Sequence, residues 1–202
     1  MSKSVRMEKA SPCSRVGAKL NIMAIESMAQ TIVGSDDPAI IEETMKGLWE
    51  GKNNRFSHEL AYEAKVGNKT LGMITCYPTS VMNQLVLPTA KQILHIRRFA
   101  MVNYAVKNVR TLYAMMTMEE GKKDEFHIGA MAILPESRGL GIGGMLLHYA
   151  EARAKDCSFK KLSLTVRENN PRAKQLYERV GYQVVGKIDQ GSFKLFRMVK
   201  AV

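Results

Sequence analysis

The stretch Arg138-Gly139-Leu140-Gly141-Ile142-Gly143-Gly144 restricts the fold of this chain more than any other. The apolar run from Phe126 to Leu134 precedes it and reads as a buried strand. The run from Met145 to Ala154 follows and reads as a helix. A strand that passes through a glycine turn into a helix N-terminus makes an anion site. Glycine permits positive φ and close backbone approach. The first-turn N–H groups lack intrahelical partners and point at the ligand, with the helix dipole behind them. Arg138 adds a cation for a charge-assisted contact. Gly139, Gly141 and Gly144 also satisfy the dinucleotide spacing G-x-G-x-x-G. That reading fails on position, because such a turn opens an early β-α-β unit with several strands beyond it. Only 58 residues follow Gly144, too few for two mononucleotide halves.

A second motif lies downstream. After the strand-like run from Leu162 to Val166 comes Asn170-Pro171-Arg172-Ala173-Lys174-Gln175-Leu176-Tyr177-Glu178-Arg179-Val180-Gly181-Tyr182. Arg138-x-x-Gly141-x-Gly143 resembles the Q/R-x-x-G-x-G/A acetyl-coenzyme A signature of the GCN5-related N-acetyltransferases, the GNAT superfamily. The second segment is similar to that family's N-x-x-A-x-x-L-Y-x-x-x-G-F/Y run. The close resemblance covers residues 124–200, with a weaker one toward the N-terminus. It implies a mixed α/β (α+β) fold: a mostly antiparallel sheet splayed at its fourth and fifth strands, with flanking helices. It also implies acetyl-CoA as cofactor and an amine of a small molecule or peptide as acceptor.

The residues outside these motifs fit one domain of 202 residues with an insertion. Ser4 to Ala10 reads as a weak first strand. Ser11-Pro12 reads as an N-cap and N1 opening a helix to about Thr31, with Leu20, Met23, Ala24 and Ser27 on one stripe. Asp37 and Pro38 open a second helix, with Ile40, Ile41, Met45, Leu48 and Trp49 on its apolar face. Glu59–Val66 and Thr70–Tyr77 form an antiparallel hairpin turned by Gly67-Asn68 and ended by Pro78. Residues 79–124 stand where a minimal relative has a short turn. Val81, Leu85, Ile93, Leu94, Phe99, Val106, Val109, Leu112, Tyr113 and Met116 suggest two or three helices there, one starting at Pro88. This methionine-rich insertion reads as an acceptor-pocket wall, or as a packed lid or homodimer surface. Glu119 to Asp124 is a polar turn, and two closing strands follow Tyr182.

Charge and cysteine usage narrow the class. The net charge is +11, and no acid occurs between Glu63 and Glu119. A solvated basic face and a funnel for the coenzyme's phosphates both account for this. Nucleic acid is disfavoured, since no aromatic–basic motif accompanies the charge. No apolar run reaches the roughly 18 residues of a membrane span, and the N-terminus has no signal core. Cys13, Cys76 and Cys157 are odd in number and widely spaced, which suggests a reducing cytoplasm and no metal site. Cys76 is expected in a strand and Cys157 at a buried helix end.

The resemblance assigns roles. Arg138, Gly139, Leu140, Gly141, Ile142, Gly143 and Gly144 would grip the pyrophosphate. Ile133 and Leu134 would offer backbone contacts to the pantetheine arm. An N–H near Ala132 or Ile133 would stabilise the oxyanion. Asn170 would cap its helix and lie near the cofactor. Tyr177 falls on the tyrosine beside the coenzyme sulfur, as general acid or hydrogen-bond donor to the thiolate. By spacing alone, Tyr177 shares a stripe with Ala173, Leu176 and Val180 and reads equally as core. Relatives carry an acid where this chain has Gly129. The absence leaves His127, Glu125 or water as base, or a glycine that makes room for a bulkier acceptor. It also supports a non-catalytic acyl-CoA-binding or regulatory module as the alternative.

Overall fold

A computed structural model describes residues 4–191 and 193–202. The chain begins with strand β1 (Arg6–Lys9), followed by helices α1 (Gly17–Ile25), α2 (Met28–Val33) and α3 (Pro38–Glu50). Strands β2 (Ala61–Val66) and β3 (Lys69–Pro78) come next. The insertion forms α4 (Thr79–Arg97), α5 (Phe99–Lys107) and α6 (Val109–Met116). Strand β4 (Phe126–Ile133), α7 (Ile142–Asp156), β5 (Lys161–Arg167), α8 (Pro171–Arg179), β6 (Gln183–Gln190) and β7 (Phe193–Ala201) complete the chain. One seven-stranded sheet runs in the order β1-β2-β3-β4-β5-β7-β6. Every pairing is antiparallel except β4 with β5.

Two layers of helix cover the sheet. On one face α7 buries Ile142, Leu146, Leu147, Ala150 and Ala154 against Ile74, Cys76, Ile128 and Leu164. On the other, α1 brings Leu20 against Ala61, Met73, Ala132 and Trp49. A third cluster joins α2, α3 and α4 through Val33, Met45, Leu48 and Ile93. Local chemistry accounts for the elements that match expectation. The Asp37 carboxylate accepts the Ala39 N–H at 2.8 Å, with Pro38 at the first helical position. Gly67 takes φ 59° in the β2–β3 turn. Cys76 is buried in β3.

Other expectations are corrected. Ser11-Pro12 opens a turn rather than a helix: the Ser11 carbonyl accepts from Ser14 N–H at 3.0 Å. Helix α1 begins only at Gly17. It ends at Glu26, which takes φ 51° and separates it from α2. Two ties favour this break: Asn170 Nδ2 donates to Glu26 Oε1 at 3.0 Å, and Arg167 donates to Ser27 Oγ. Pro88 stands inside α4, not at a helix start. Its missing N–H leaves the Gln84 carbonyl without an i+4 donor. Cys157 is exposed, since α7 ends there at the surface. No helix among the described residues is long and apolar enough to cross a membrane.

The insertion leaves the sheet at Pro78 and returns at Glu125. Its neck is closed by Thr79, whose N–H and Oγ1 both donate to the Glu125 carbonyl, at 3.1 and 3.0 Å. Its inner faces pack inward, while Phe99, Val106, Val109 and Tyr113 face outward.

Gly17 is set by space rather than by φ. A Cβ there would lie 2.1 Å from the Trp49 ring, which is held by its own donation to the Ser11 carbonyl at 3.1 Å. We expect Gly17→Ala to lose about 1–3 kcal/mol through overpacking. A lower denaturant midpoint at unchanged slope is the measurement that checks it.

Candidate active site

Pairing between β4 and β5 covers only Phe126↔Leu162, His127↔Ser163 and Ile128↔Leu164. Beyond these pairs the strands part. A cleft of about 430 Å³ opens between Met131–Ile133 and Thr165–Arg167, with Leu176 and Tyr177 of α8 against it. Backbone parity decides which groups face it. Leu134 N–H donates to the Leu71 carbonyl at 2.9 Å, toward β3. A Cβ on Gly72 would lie 2.8 Å from the Ala132 carbonyl oxygen, so Ala132 faces β3 as well. Alternation therefore turns the peptide groups of Ile133 toward the cleft. This corrects the expectation for Leu134. Its N–H is committed to Leu71, its carbonyl accepts from Ser137 N–H at 2.8 Å, and its side chain is buried on the α1 face. It likewise favours Ile133 over Ala132 as oxyanion donor.

The glycine loop leads into α7. Gly139 and Gly141 take φ of 78° and 75°, and Gly141 is the N-cap. Among the described residues, no atom lies within 4 Å of a Cβ built at 139, 141 or 144. Positive φ, not crowding, thus requires the first two glycines. Gly143 differs: a Cβ there would meet Leu176 at 3.1 Å and Ile133 at 3.2 Å, so it lets α7 approach the cleft wall. Leu140 is exposed. Ile142 is buried and anchors the helix start. The N–H groups of Ile142, Gly143 and Gly144 form the first helical turn and are free for an anion. Arg138 lines the cleft beside them.

Asn170 caps α8, its Oδ1 accepting from Ala173 N–H at 3.1 Å. It lines the cleft together with Tyr177. Tyr177 belongs to the core cluster and also borders the cleft. Burial pushes its phenol up to about 12, which keeps it protonated at neutral pH.

A second cavity, of about 440 Å³, lies on the α1 side of β4, walled by α2, α4, α5 and α6. Gly129 is at its edge. The β3–β4 register slips between Thr75↔Ala130 and Cys76↔Ile128, so Gly129 is the extra residue of a β-bulge. The isolated glycine in a strand-like run was the sequence signal for that bulge. A Cβ at 129 would lie 2.0 Å from the Tyr77 hydroxyl. The glycine therefore makes room for Tyr77, not for a bulkier acceptor.

Neither of the two protein bases left open by the sequence lines the cleft or the second cavity. Glu125 is buried, pairs with Arg197 and accepts Lys122 N–H at 2.8 Å. Burial opposes its charge, but Arg197 and Lys122 outweigh that and hold its pKa down. His127 is fully buried, its Nδ1 3.0 Å from Ser163 Oγ. Burial lowers its pKa to about 4, only partly offset by Glu120. The carboxylate that does line the second cavity is Glu120. Its Oε1 accepts from Arg55 Nη2 at 2.7 Å, and its Oε2 lies 3.9 Å from His127 Nε2. Burial works against its charge, yet Arg55 and His127 keep its pKa below the ordinary value. Tyr77, Arg55 and Glu120 were missed in the sequence. Only Glu120 left a trace there, standing with Glu119 at the end of the acid-free stretch.

The chain matches the model of the acetyltransferase (GNAT) family over residues 29–182. No curated protein matches its sequence. Solved structures share its fold. A crystal structure of an acetyltransferase aligns with a TM-score of 0.69 at 16% identity, covering 98% of this chain and 99% of that one. An N-acetyltransferase from Staphylococcus aureus Mu50 aligns at 0.67 and 20% identity, over 96% of this chain and 99% of its own. A GNAT family acetyltransferase from Elizabethkingia anophelis, with acetyl-CoA bound, aligns at 0.52 and 13% identity over 100% of both chains.

His127 generates a pH prediction. Its folded pKa of about 4 lies below the ordinary imidazole value of 6.5, so the unfolded chain binds the proton more readily. The stability it contributes is present above pH 6.5 and is lost as pH falls toward 4, at up to about 1.4 kcal/mol per pH unit. Chemical denaturation of His127→Gln should show a flatter slope in that window than the unaltered chain. Parallel slopes would mean that His127 is not held neutral by burial.

Proposed function

The chain belongs to the acetyltransferase (GNAT) family, and on that premise we propose that it is an N-acetyltransferase moving an acetyl group from acetyl-CoA to an amine of a small molecule or peptide. One observation carries the reading: two sequence-distant segments, around Arg138 and around Asn170–Tyr177, line the same cleft where β4 leaves β5. The residues present suit the cofactor. The loop backbone is open and at positive φ at Gly139 and Gly141, Arg138 supplies a cation, and the cleft runs from loop to Tyr177.

Acetyl-CoA brings an acyl group already activated as a thioester. What remains is binding, orientation and proton movement. The N–H groups of Ile142, Gly143 and Gly144 and the Arg138 guanidinium bind the pyrophosphate. The Ile133 backbone pairs with the pantetheine arm as an added strand would, and its N–H donates to the thioester oxygen as charge builds there. The Tyr177 hydroxyl, protonated at neutral pH, donates a hydrogen bond to the departing sulfur. Glu120 replaces the carboxylate missing at Gly129 as the group beside the acceptor. The non-catalytic alternative drew its support from that missing acid, so Glu120 favours the enzyme. Exposed thiols at Cys13 and Cys157 suit a reducing compartment such as the cytoplasm.

Two variants test the assignment. Micromolar affinity at millimolar acetyl-CoA raises stability by about 4 kcal/mol. Gly141→Val, which cannot hold φ near 75° and blocks the anion, should abolish most of that thermal shift. An undiminished shift would remove the loop from the cofactor site. Tyr177→Phe should slow thiol release by roughly 10²–10⁴-fold, with melting temperature nearly kept. Unchanged turnover at saturating substrates would leave Tyr177 a core residue only.

A further inference from the structure

The acceptor remains to be assigned, and the cavity on the α1 side of β4 has a definite chemistry. We propose that this cavity is the acceptor site and that it takes a primary amine carried on a compact hydrophobic body, alkyl or aryl, with the amino group at Glu120. The inference rests on the acetyltransferase reading and deepens it.

The wall is apolar almost throughout, built from residues such as Met28, Ile93, Met101, Leu112 and Met115. Its polar lining is Arg55, Thr89 and Glu120, and most of that is engaged. Thr89 Oγ1 accepts from Arg55 N–H at 3.0 Å and donates to the Leu85 carbonyl at 2.6 Å. Arg55 and Glu120 neutralise each other at 2.7 Å. What remains is the Arg55 Nε–H, buried without a hydrogen-bond partner among the described residues, and Glu120 Oε2, the free acceptor, 3.9 Å from His127 Nε2 and beyond hydrogen-bond length. His127 Nε2 and Thr75 Oγ1, both buried, have no hydrogen-bond partner among the described residues. A peptide would bury backbone N–H and C=O groups against this wall without partners, at a cost for each. A hydrophobic amine presents one polar end and needs one acceptor. About 440 Å³ suits such a molecule.

Position supports chemistry. The cavity reaches Gly129, and the cofactor cleft begins at Met131, two residues along the same strand, or about 7 Å. Both border the α1–α2 corner, one at Ile25 and Met28, the other at Met23, Ala24 and Glu26. An amino group at the Glu120 end is thus presented toward the thioester. Its nitrogen bonds to the acetyl carbon, and the carbon–sulfur bond breaks with the pair on sulfur. One N–H proton passes to the Glu120 carboxylate, and the thiolate takes a proton from solvent. The products are the amide and free coenzyme A.

The test is thiol release from acetyl-CoA with a linear alkylamine series, phenethylamine, spermidine and a lysine-containing peptide. kcat/KM should rise roughly fourfold per methylene until the cavity is filled, and the hydrophobic amines should exceed spermidine and the peptide by at least 100-fold. A flat series, or preference for either polar amine, overturns the proposal. Ala90→Phe, which fills the cavity from α4, should raise KM for the longer amines at least tenfold and leave the acetyl-CoA thermal shift unchanged. An unaltered KM overturns it. Glu120→Asp keeps the charge beside Arg55 but withdraws it by one methylene, and should lower kcat with the chain-length dependence retained. Full kcat removes Glu120 from the site. The acetyl-CoA shift separates two failures: its absence in the unaltered chain defeats the acetyltransferase reading itself, whereas its presence with no hydrophobic preference defeats only this acceptor.

Discussion

Parallel pairing between β4 and β5 lasts three residue pairs and then stops. The backbone that parts there is left with unpaired groups on its inner edges, and a sheet tolerates that only where something else supplies partners. The rest of the molecule is arranged around this opening. Helix α7 closes the α7 face of the sheet and aims its N-terminus at one end of the gap, α8 places Tyr177 at the other, and α1 with α2 forms a lip. That lip is tied across by Glu26 and Ser27 to Asn170 and Arg167. The left-handed backbone at Glu26 is the local cost of reaching over.

Strand β4 borders the cleft at Met131–Ile133 and the second cavity at Gly129, its bulge. Paired residues share a face, so Met131 and Ile128 both face α7 although they are three apart, while His127 and Ala130 face α1. Without the extra residue at Gly129, one of these sets would be turned to the wrong side. The bulge lets one strand border both the cleft and the second cavity. It also clears the space that the Tyr77 side chain fills.

What could be read in the sequence was what local chemistry decides. Asp37-Pro38, Gly67-Asn68 and the glycines before α7 each carry their backbone geometry in their own side chains, or in the lack of one. The cleft residues Ile133, Arg138, Asn170 and Tyr177 were legible through two spaced motifs. What escaped depended on distant partners. The break at Glu26 needs Asn170 and Arg167, over 140 residues away. Gly129 looked like a lost acid because its meaning lies in Tyr77 across the ladder. Pro88 is tolerated inside α4 against a general expectation. Leu134 fell to strand parity, which sequence does not number. Glu120 was read as a polar turn because nothing local announces Arg55, 65 residues upstream.

The neck of the insertion has a consequence for how such a chain can change over generations. Thr79 and Glu125 pin the two ends of the helical excursion together at the sheet, so its length costs the fold little beyond a slowly growing closure entropy. Helices α4, α5 and α6, which wall the hydrophobic chamber together with α2, hang from that clasp, while the cleft between β4 and β5 lies past it. Mutation, lengthening or exchange of the three helices redraws the chamber first, and reaches the cleft through Met115 and Met118, which pack on Leu195. The clasp makes the molecule divisible into a handle and a replaceable head, a division along which new selectivities are able to arise.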